Sequence, residues 1–255
     1  MRIILVTQDD PFYLAQNLDY LIRIFPAHSQ IVGCVLSDVS PFGKQESFVK
    51  KTLKTFRIFG LRFFLYYSVY YLLCKFNPKK QVRSVLNKNG IDIINLNQSI
   101  NTDDSVKKIQ SFQPDLLISI LGNQIFQTKI IELAPKGCLN LHTALLPKYR
   151  GLMPAFWVLK NNEKHTGVSV FYVDSGIDSG PIIVQKKITI PFKMTHRQLI
   201  KQTKRIGMEA VAEAVDLIER NAVELIKNDS SQKTYYSFPE KADVKGFLKK
   251  GKRFF

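Results

Sequence analysis

Acidic side chains, cysteines and long apolar runs are all scarce in this chain, and each scarcity excludes something. Three cysteines stand among 255 residues, Cys34, Cys74 and Cys138, far apart and with no CxxC pair. That pattern excludes a zinc ribbon or a disulfide framework and points to a reducing, cytoplasmic setting. The longest uncharged apolar stretch, residues 63–74, has 12 residues, against about 20 for a membrane span. The opening MRIILVTQDDPF lacks a small-residue cleavage site and is stopped by two acids, so it reads as a strand and not as a signal peptide. Neither GxGxxG nor GxxxxGK[ST] occurs, which removes the usual phosphate-binding signatures of dinucleotide and P-loop folds. Glycine and proline, at 13 and 11, are ordinary, and 45% of residues are hydrophobic. Collagen, coiled coil and wholesale disorder are therefore out, and the length suits one domain.

Acids are outnumbered 21 to 37, a net charge of +16. The imbalance is local. Residues 41–90 hold 11 Lys and Arg against Glu46, and residues 241–255 hold six against Asp243. Any polyanionic partner must meet those two segments. Aromatics at 56, 59, 63, 67 and 70 recur at helical spacing, so one amphipathic helix is expected over 50–76. That insertion, about 41–80, has three readings: packed on the domain or on a second subunit of a homodimer, laid on an anionic membrane through residues 50–80, or bound to nucleic acid. The first is favoured because an aromatic stripe is usually core. The second would make the protein membrane-peripheral. The third is least favoured, since the aromatics are too dense for a solvated stacking platform.

Elsewhere strands and helices alternate. Strands are expected over 2–7, 31–36, 91–96, 115–121 and 138–141, with helices over 11–25, 80–88, 105–112 and 129–133 between them. This predicts an α/β fold, a Rossmann-like, doubly wound, mostly parallel sheet with helices on both faces. The run DLLISIL, continuously apolar, should be the central strand. Alternating strands over 166–173 and 182–190 and a long helix over 195–221 follow. The expected boundaries are a catalytic domain over 1–227 and a basic, extended tail over 228–255. His28 and His165 read as loop residues, His196 as a first-turn helix residue and Trp157 as packing on a short helix.

Ligands of open α/β sheets bind beyond the carboxyl ends of the central strands. Two such ends carry polar groups here, at Gly122-Asn123-Gln124 and at His142-Thr143. Asn140 and His142, two apart on a strand, project to one face. Asp174 to Gly180 (DSGIDSG) reads as a loop against a flat ligand, with Asp178 near its end. Taken singly, Asn140 could be a turn amide, His142 a structural imidazole and Asp178 a carboxylate holding its own turn. Together with Leu145-Leu146-Pro147, Tyr149-Arg150-Gly151, Pro154, Thr166-Gly167 and Gly176 to Gly180, however, they resemble the formyltransferase family. That family includes glycinamide ribonucleotide transformylase, methionyl-tRNA formyltransferase and the sugar-nucleotide N-formyltransferases.

The resemblance implies transfer of a formyl group from 10-formyltetrahydrofolate to a primary amine, without a metal. It implies Asn140, His142 and Asp178 as catalytic residues. The folate would lie against Gly122, Asn123, Leu145, Leu146, Pro147, Asp174, Ser175, Gly176 and Ile177. Asp10, Lys148, Tyr149 and Arg150 would face the acceptor, with Lys148 and Arg150 on a diphosphate. One departure stands out: the family often has Ser before Leu-Leu-Pro, and here it is Ala144. The residue chemistry agrees with the implied roles. An amide donor steadies a developing oxyanion, worth about 2.7–4 kcal/mol where such donors have been removed. An imidazole moves a proton, and a carboxylate beside it favours its charged form. For the acceptor, an amino-sugar nucleotide is expected first. Asp9 and Asp10 after the first strand would repel a ribonucleotide phosphate, and the further C-terminal domain of methionyl-tRNA formyltransferases is not expected in this chain. A non-catalytic folate- or nucleotide-binding protein is the reading from another class.

Overall fold

Alternation along β1 (Arg2–Gln8) sends Ile3 and Leu5 to one face of the sheet and Ile4 and Val6 to the other, and all four are buried. In the computed structural model, which describes residues 1–38, 47–122 and 124–255, β1 pairs in parallel with β2 (Gln30–Ser37) on one side and β4 (Leu116–Ile120) on the other. β3 (Asp92–Ile94) continues the sheet beyond β2, and β5 (Cys138–His142) beyond β4. Two antiparallel strands complete it, β7 (His165–Tyr172) against β5 and β8 (Ile182–Thr189) against β7. The order β3-β2-β1-β4-β5-β7-β8 puts β4 in the middle, every residue buried. The mostly parallel, doubly wound sheet is therefore as its apolar runs predict.

Helices α1 (Leu14–Ile24), α4 (Val82–Lys88) and α8 (His196–Glu219) cover the face that holds Ile3 and Leu5. Helices α5 (Asp103–Gln110) and α6 (Thr128–Ile131) cover the other. The chain leaves β1 toward β2 and returns to β4 on its opposite side, so the crossovers diverge and the carboxyl ends of β1, β4 and β5 open a crevice. Cys34 and Cys138 lie in the core, where burial pushes both thiols up to about 12 and makes them inert.

Four expectations are corrected. The first helix begins at Leu14, not 11, because Asp10, expected as its cap, holds a turn over 11–13 ahead of it. Its carboxylate accepts the amides of Phe12, Tyr13 and Leu14 at 3.2, 3.0 and 3.1 Å. The single helix over 50–76 is two, α2 (Phe48–Phe59) and α3 (Leu61–Lys75), broken at Gly60 with φ +83°. The aromatic stripe was legible; the left-handed glycine between its halves was not weighed. The extended tail is a folded element. β9 (Tyr235–Tyr236) pairs with β6 (Arg150–Gly151), and α9 (Lys241–Lys249) buries Val244 and Phe247. His165 opens β7 instead of lying in a loop, while His28 lies in a turn, as read. Trp157, on α7 (Pro154–Lys160), packs as expected and donates its indole N–H to Ser237 O at 3.0 Å.

The C-terminal segment and the α2–α3 pair are locked by one aromatic cluster. Phe254 lies against Phe59, Phe63, Phe156 and Phe247 at ring separations of 4.7–6.2 Å, and Phe255 stacks on Tyr66 at 3.9 Å. The amides of His196 and Arg197, in the first turn of α8, donate to Arg253 O and Phe254 O. Truncating Phe254 to Ala is thus expected to lower unfolding stability by about 3–5 kcal/mol in urea titrations; an unchanged midpoint would mean a solvated end.

His196 is buried beside Phe156 and Phe254, and burial pushes its imidazole down to about 4 from 6.5. The unfolded chain takes up that proton first as pH falls. The ring's contribution is complete above about pH 6.5 and is lost between there and about 4, by roughly 3 kcal/mol. In matched urea titrations the stability gap between the natural chain and His196→Phe should shift by that amount, in favour of the variant, from pH 7 to pH 4. A constant gap would refute the buried neutral ring.

Candidate active site

The crevice beyond β1, β4 and β5 encloses about 290 Å³, near the lower end of small-molecule sites. Asn140 and His142 enter it from β5, and Gln8, Leu121 and Gly122 from the ends of β1 and β4. The loop after β7 adds Asp174, Gly176, Ile177 and Asp178, and the turn after β6 adds Leu152 and Met153. The three side chains drawn from 140, 142 and 178 therefore share one cavity. Among the described residues, Asn140's amide has no protein partner; it is half-buried and lines the cavity.

His142 is buried and held from both sides. Its Nε2 lies 2.7 Å from Tyr149 O. A carbonyl only accepts, so Nε2 carries the hydrogen, and Nδ1 is the nitrogen left free to exchange a proton. Nδ1 lies 3.6 Å from Asp178 Oδ2, with Asp178 nearly as buried. The same carboxylate oxygen accepts the Gly151 amide at 2.8 Å. Asp178 itself has φ +49°, a left-handed conformation that Asp tolerates. Asn228 fixes that turn by donating Nδ2 to Asp178 O at 3.0 Å and to Gly180 O at 2.9 Å. Gly180 admits no side chain, since a Cβ there would sit 1.8 Å from Tyr172 O.

Left-handed backbone marks the cavity. Of the non-glycine residues with positive φ, Gln113, Asn162 and Asn221 follow the ends of helices, whereas Leu121, Tyr149, Met153 and Asp178 surround the site. Strain of this kind persists where surrounding contacts over-determine it, and it clusters at functional sites.

Other predicted residues divide. Gly122, Asp174, Gly176 and Ile177 line the cavity. Asp174 Oδ1 also accepts the Gly176 amide and the Ser179 hydroxyl, at 3.0 and 2.6 Å, shaping the loop. Ser175 is exposed and outside the lining. Asn123 lies outside the described residues. Leu145, Leu146 and Pro147 also fall outside the lining. Leu146 instead packs with Phe171 and Ile182, and Leu145 abuts Gly167. At the turn, Ser169 Oγ donates to Ala144 O at 2.8 Å and accepts from Leu146 N and Gln185 Nε2 at 3.1 and 3.0 Å. A hydroxyl from the next strand thus organises the turn where Ala144 has none.

The acceptor-facing set is placed differently from expectation. Arg150 is buried, and Nη2 donates to Asn228 Oδ1 at 2.9 Å, Asn228 O at 3.5 Å and Ser230 Oγ at 3.4 Å. Its guanidinium is therefore committed inside the protein and is not open to a diphosphate. Tyr149 is buried against Tyr236 and donates its hydroxyl to Glu163 at 2.6 Å; burial, then Glu163, hold the phenol well above its ordinary value. Lys148 is exposed, and Asp10 is engaged by the amides of Phe12, Tyr13 and Leu14 ahead of α1. Sequence reasoning missed Gln8, Phe126 and Met153, which also line the cavity. The strand-end rule alone could have found Gln8. Gln124 serves the wall: its side-chain oxygen accepts from Ile100 N at 2.9 Å, while Asn101 donates to Ile125 O at 2.9 Å.

Comparison with known proteins bears on the family and the fold. A family model described as formyl transferase matches residues 75–215. The methionyl-tRNA formyltransferase of Kosmotoga olearia is 34% identical over 154 residues, 60% of this chain and 49% of that protein. That of Thermotoga neapolitana is 30% identical over 245 residues, 96% of this chain and 67% of its own length. Apart from that relative, the chain spans about half the length of the curated relatives it matches. Among solved structures, the N-formyltransferase of Helicobacter canadensis, in complex with folinic acid and dTDP-3-aminofucose, superposes with a TM-score of 0.58 at 18% identity, covering 92% of this chain and 70% of that one. With the family model spanning more than half of its residues and a relative 30% identical of which it covers two thirds, the chain belongs to the formyl transferase family.

Proposed function

We propose that this chain is an N-formyltransferase that moves a formyl group from 10-formyltetrahydrofolate to a primary amine. The observation that carries the reading is the meeting of Asn140, His142 and Asp178 in one crevice, with His142 Nδ1 3.6 Å from the carboxylate. The unpartnered Asn140 amide is a donor aimed at space where a carbonyl oxygen could sit, so the cavity suits the group that would enter it.

The residues divide the work as follows. The amine nitrogen bonds to the formyl carbon, and Asn140 donates an N–H to the oxygen as negative charge develops there. His142, held by Tyr149 at Nε2, gives a proton from Nδ1 to the departing folate nitrogen as its bond to carbon breaks. Asp178 orients the ring, takes the proton lost by the amine, directly or through water, and passes a proton on to Nδ1, which supplies the one that His142 gives up. Atoms balance as a formamide and tetrahydrofolate.

For the acceptor, we favour an amino-sugar nucleotide. In support, the Asp10 carboxylate stands just ahead of α1 and already accepts the amides of Phe12, Tyr13 and Leu14, so its charge opposes a ribonucleotide phosphate at that helix end. The Helicobacter canadensis enzyme, similar in fold, carries folinic acid and a dTDP-amino sugar. The 30% identity to a methionyl-tRNA formyltransferase over 96% of this chain and 67% of that protein favours initiator tRNA as the second reading.

Incubation with 10-formyltetrahydrofolate and, separately, dTDP- and GDP-amino sugars, glycinamide ribonucleotide and methionyl-tRNA should release tetrahydrofolate with one of them. Release with none, alongside folate binding, would leave a binding protein. His142→Ala and Asp178→Asn should each lose about 10²–10⁴-fold in kcat, the second keeping the left-handed turn because Asn tolerates it. Asn228→Ala should lower kcat by about a hundredfold through misplacement of Asp178, with the acidic limb of the pH–rate profile displaced. A loss of yield with kcat and profile intact would make Asn228 purely structural.

A further inference from the structure

Helix α3 is apolar all the way round, which a helix in contact with water on one side should not be. Its inner face is accounted for. Phe63 meets Phe59 and Phe254, Tyr66 stacks on Phe255, and Tyr67 and Tyr70 lie against Phe12. Arg197 sits over Tyr66 and Tyr70 at 5.7 and 4.6 Å from their ring centres. The aromatic stripe is thereby packed on the domain, as the favoured sequence reading held.

The outer face is not covered. Leu61, Leu65, Val69, Leu72, Leu73 and Phe76 are 60, 54, 58, 52, 67 and 78% exposed. At about 100° per residue these six lie within roughly a 120° arc, a continuous apolar stripe of the kind that marks an interaction surface. Cations bracket it. Arg62 stands at the first turn, Lys75 and Lys79 at the far end, and α2, which packs on α3, exposes Lys50 and Arg57. The only acid in residues 41–90 is Glu46.

The occupant must be apolar and anionic at once. A second copy of the chain would offer the apolar part but would set two segments of 11 cations and one acid against each other. A nucleic acid would satisfy the charges and leave six apolar side chains in water. The leaflet of an anionic bilayer meets both demands, with acyl chains under the stripe and headgroups beside the cations. Spanning is not at issue: α3 has 15 residues, about 22 Å against about 30 Å of hydrocarbon, and no helix among the described residues is long and apolar enough to cross. We propose that the outer face of α3 docks this protein flat on anionic phospholipid membranes. The inference does not rest on formyl transfer.

The test uses the full chain with sedimented vesicles of phosphatidylcholine alone or with 30% phosphatidylglycerol (about a third, enough for a marked surface potential). Binding is expected only with the anionic lipid. It should weaken about fivefold for each of Lys50→Gln and Lys79→Gln and disappear in Leu65→Glu/Leu72→Glu. That double variant should fold, since both side chains are already exposed; an unchanged thermal midpoint checks this. Equal sedimentation with neutral lipid, no sedimentation, or anionic binding that survives the double Glu variant would each overturn the proposal. So would a dimer in analytical ultracentrifugation that the double variant dissolves, because the stripe would then be covered by a second copy.

Discussion

The site depends on the hold that three consecutive residues, Tyr149, Arg150 and Gly151, exert on both members of the imidazole–carboxylate pair. The Tyr149 carbonyl fixes which nitrogen of His142 bears hydrogen, and the Gly151 amide fixes the Asp178 carboxylate. Between them, Arg150 reaches Asn228, which grips the Asp178 backbone. Backbone groups cannot rotate away as side chains can, so the geometry is set largely by the path of the chain. That path needs unusual torsions: Tyr149 has φ +60° and Gly151 φ +94°. At Gly151 a Cβ would lie 2.3 Å from Tyr236 O, so the close pairing of β6 with β9 requires glycine there.

The division of labour explains what could be read ahead of the coordinates. The mostly parallel sheet and its central strand followed from apolar runs because those strands are short, continuous and separated by helices of ordinary length. Asn140 and His142 were legible as neighbours through the two-residue period of a strand. Asp178 was legible only through the pattern of residues around it, since nothing local says that position 178 folds back on position 142. Arg150 was misjudged for a physical reason. A cation beside a strand end looks available to a phosphate, but its burial and its partner Asn228 lie 78 residues downstream. The folded C-terminal segment was missed on the same ground. Its charged residues face solvent, while a few aromatics, Phe247 and Phe254 among them, do the packing through long-range contacts.

The insertion shows the converse. Its composition announced a helix with an aromatic stripe, and the stripe is where the domain holds it. Gly60 divides the helix because its φ of +83° is available to glycine and strained for the large residues around it. Of the two shorter helices, α2 then packs against α9, and α3 against Phe12 and Arg197 in the first turn of α8.

The pairing of β6 with β9 also orders events in time. A ribosome adds about 5–20 residues per second, and the sheet through β8 can assemble before the later residues appear. Asn228, which grips the Asp178 turn, and Tyr235 and Tyr236, which pair with Arg150 and Gly151, are made afterwards. A nascent chain released short of them would carry the imidazole and the carboxylate on a finished sheet and still lack the frame that brings them together.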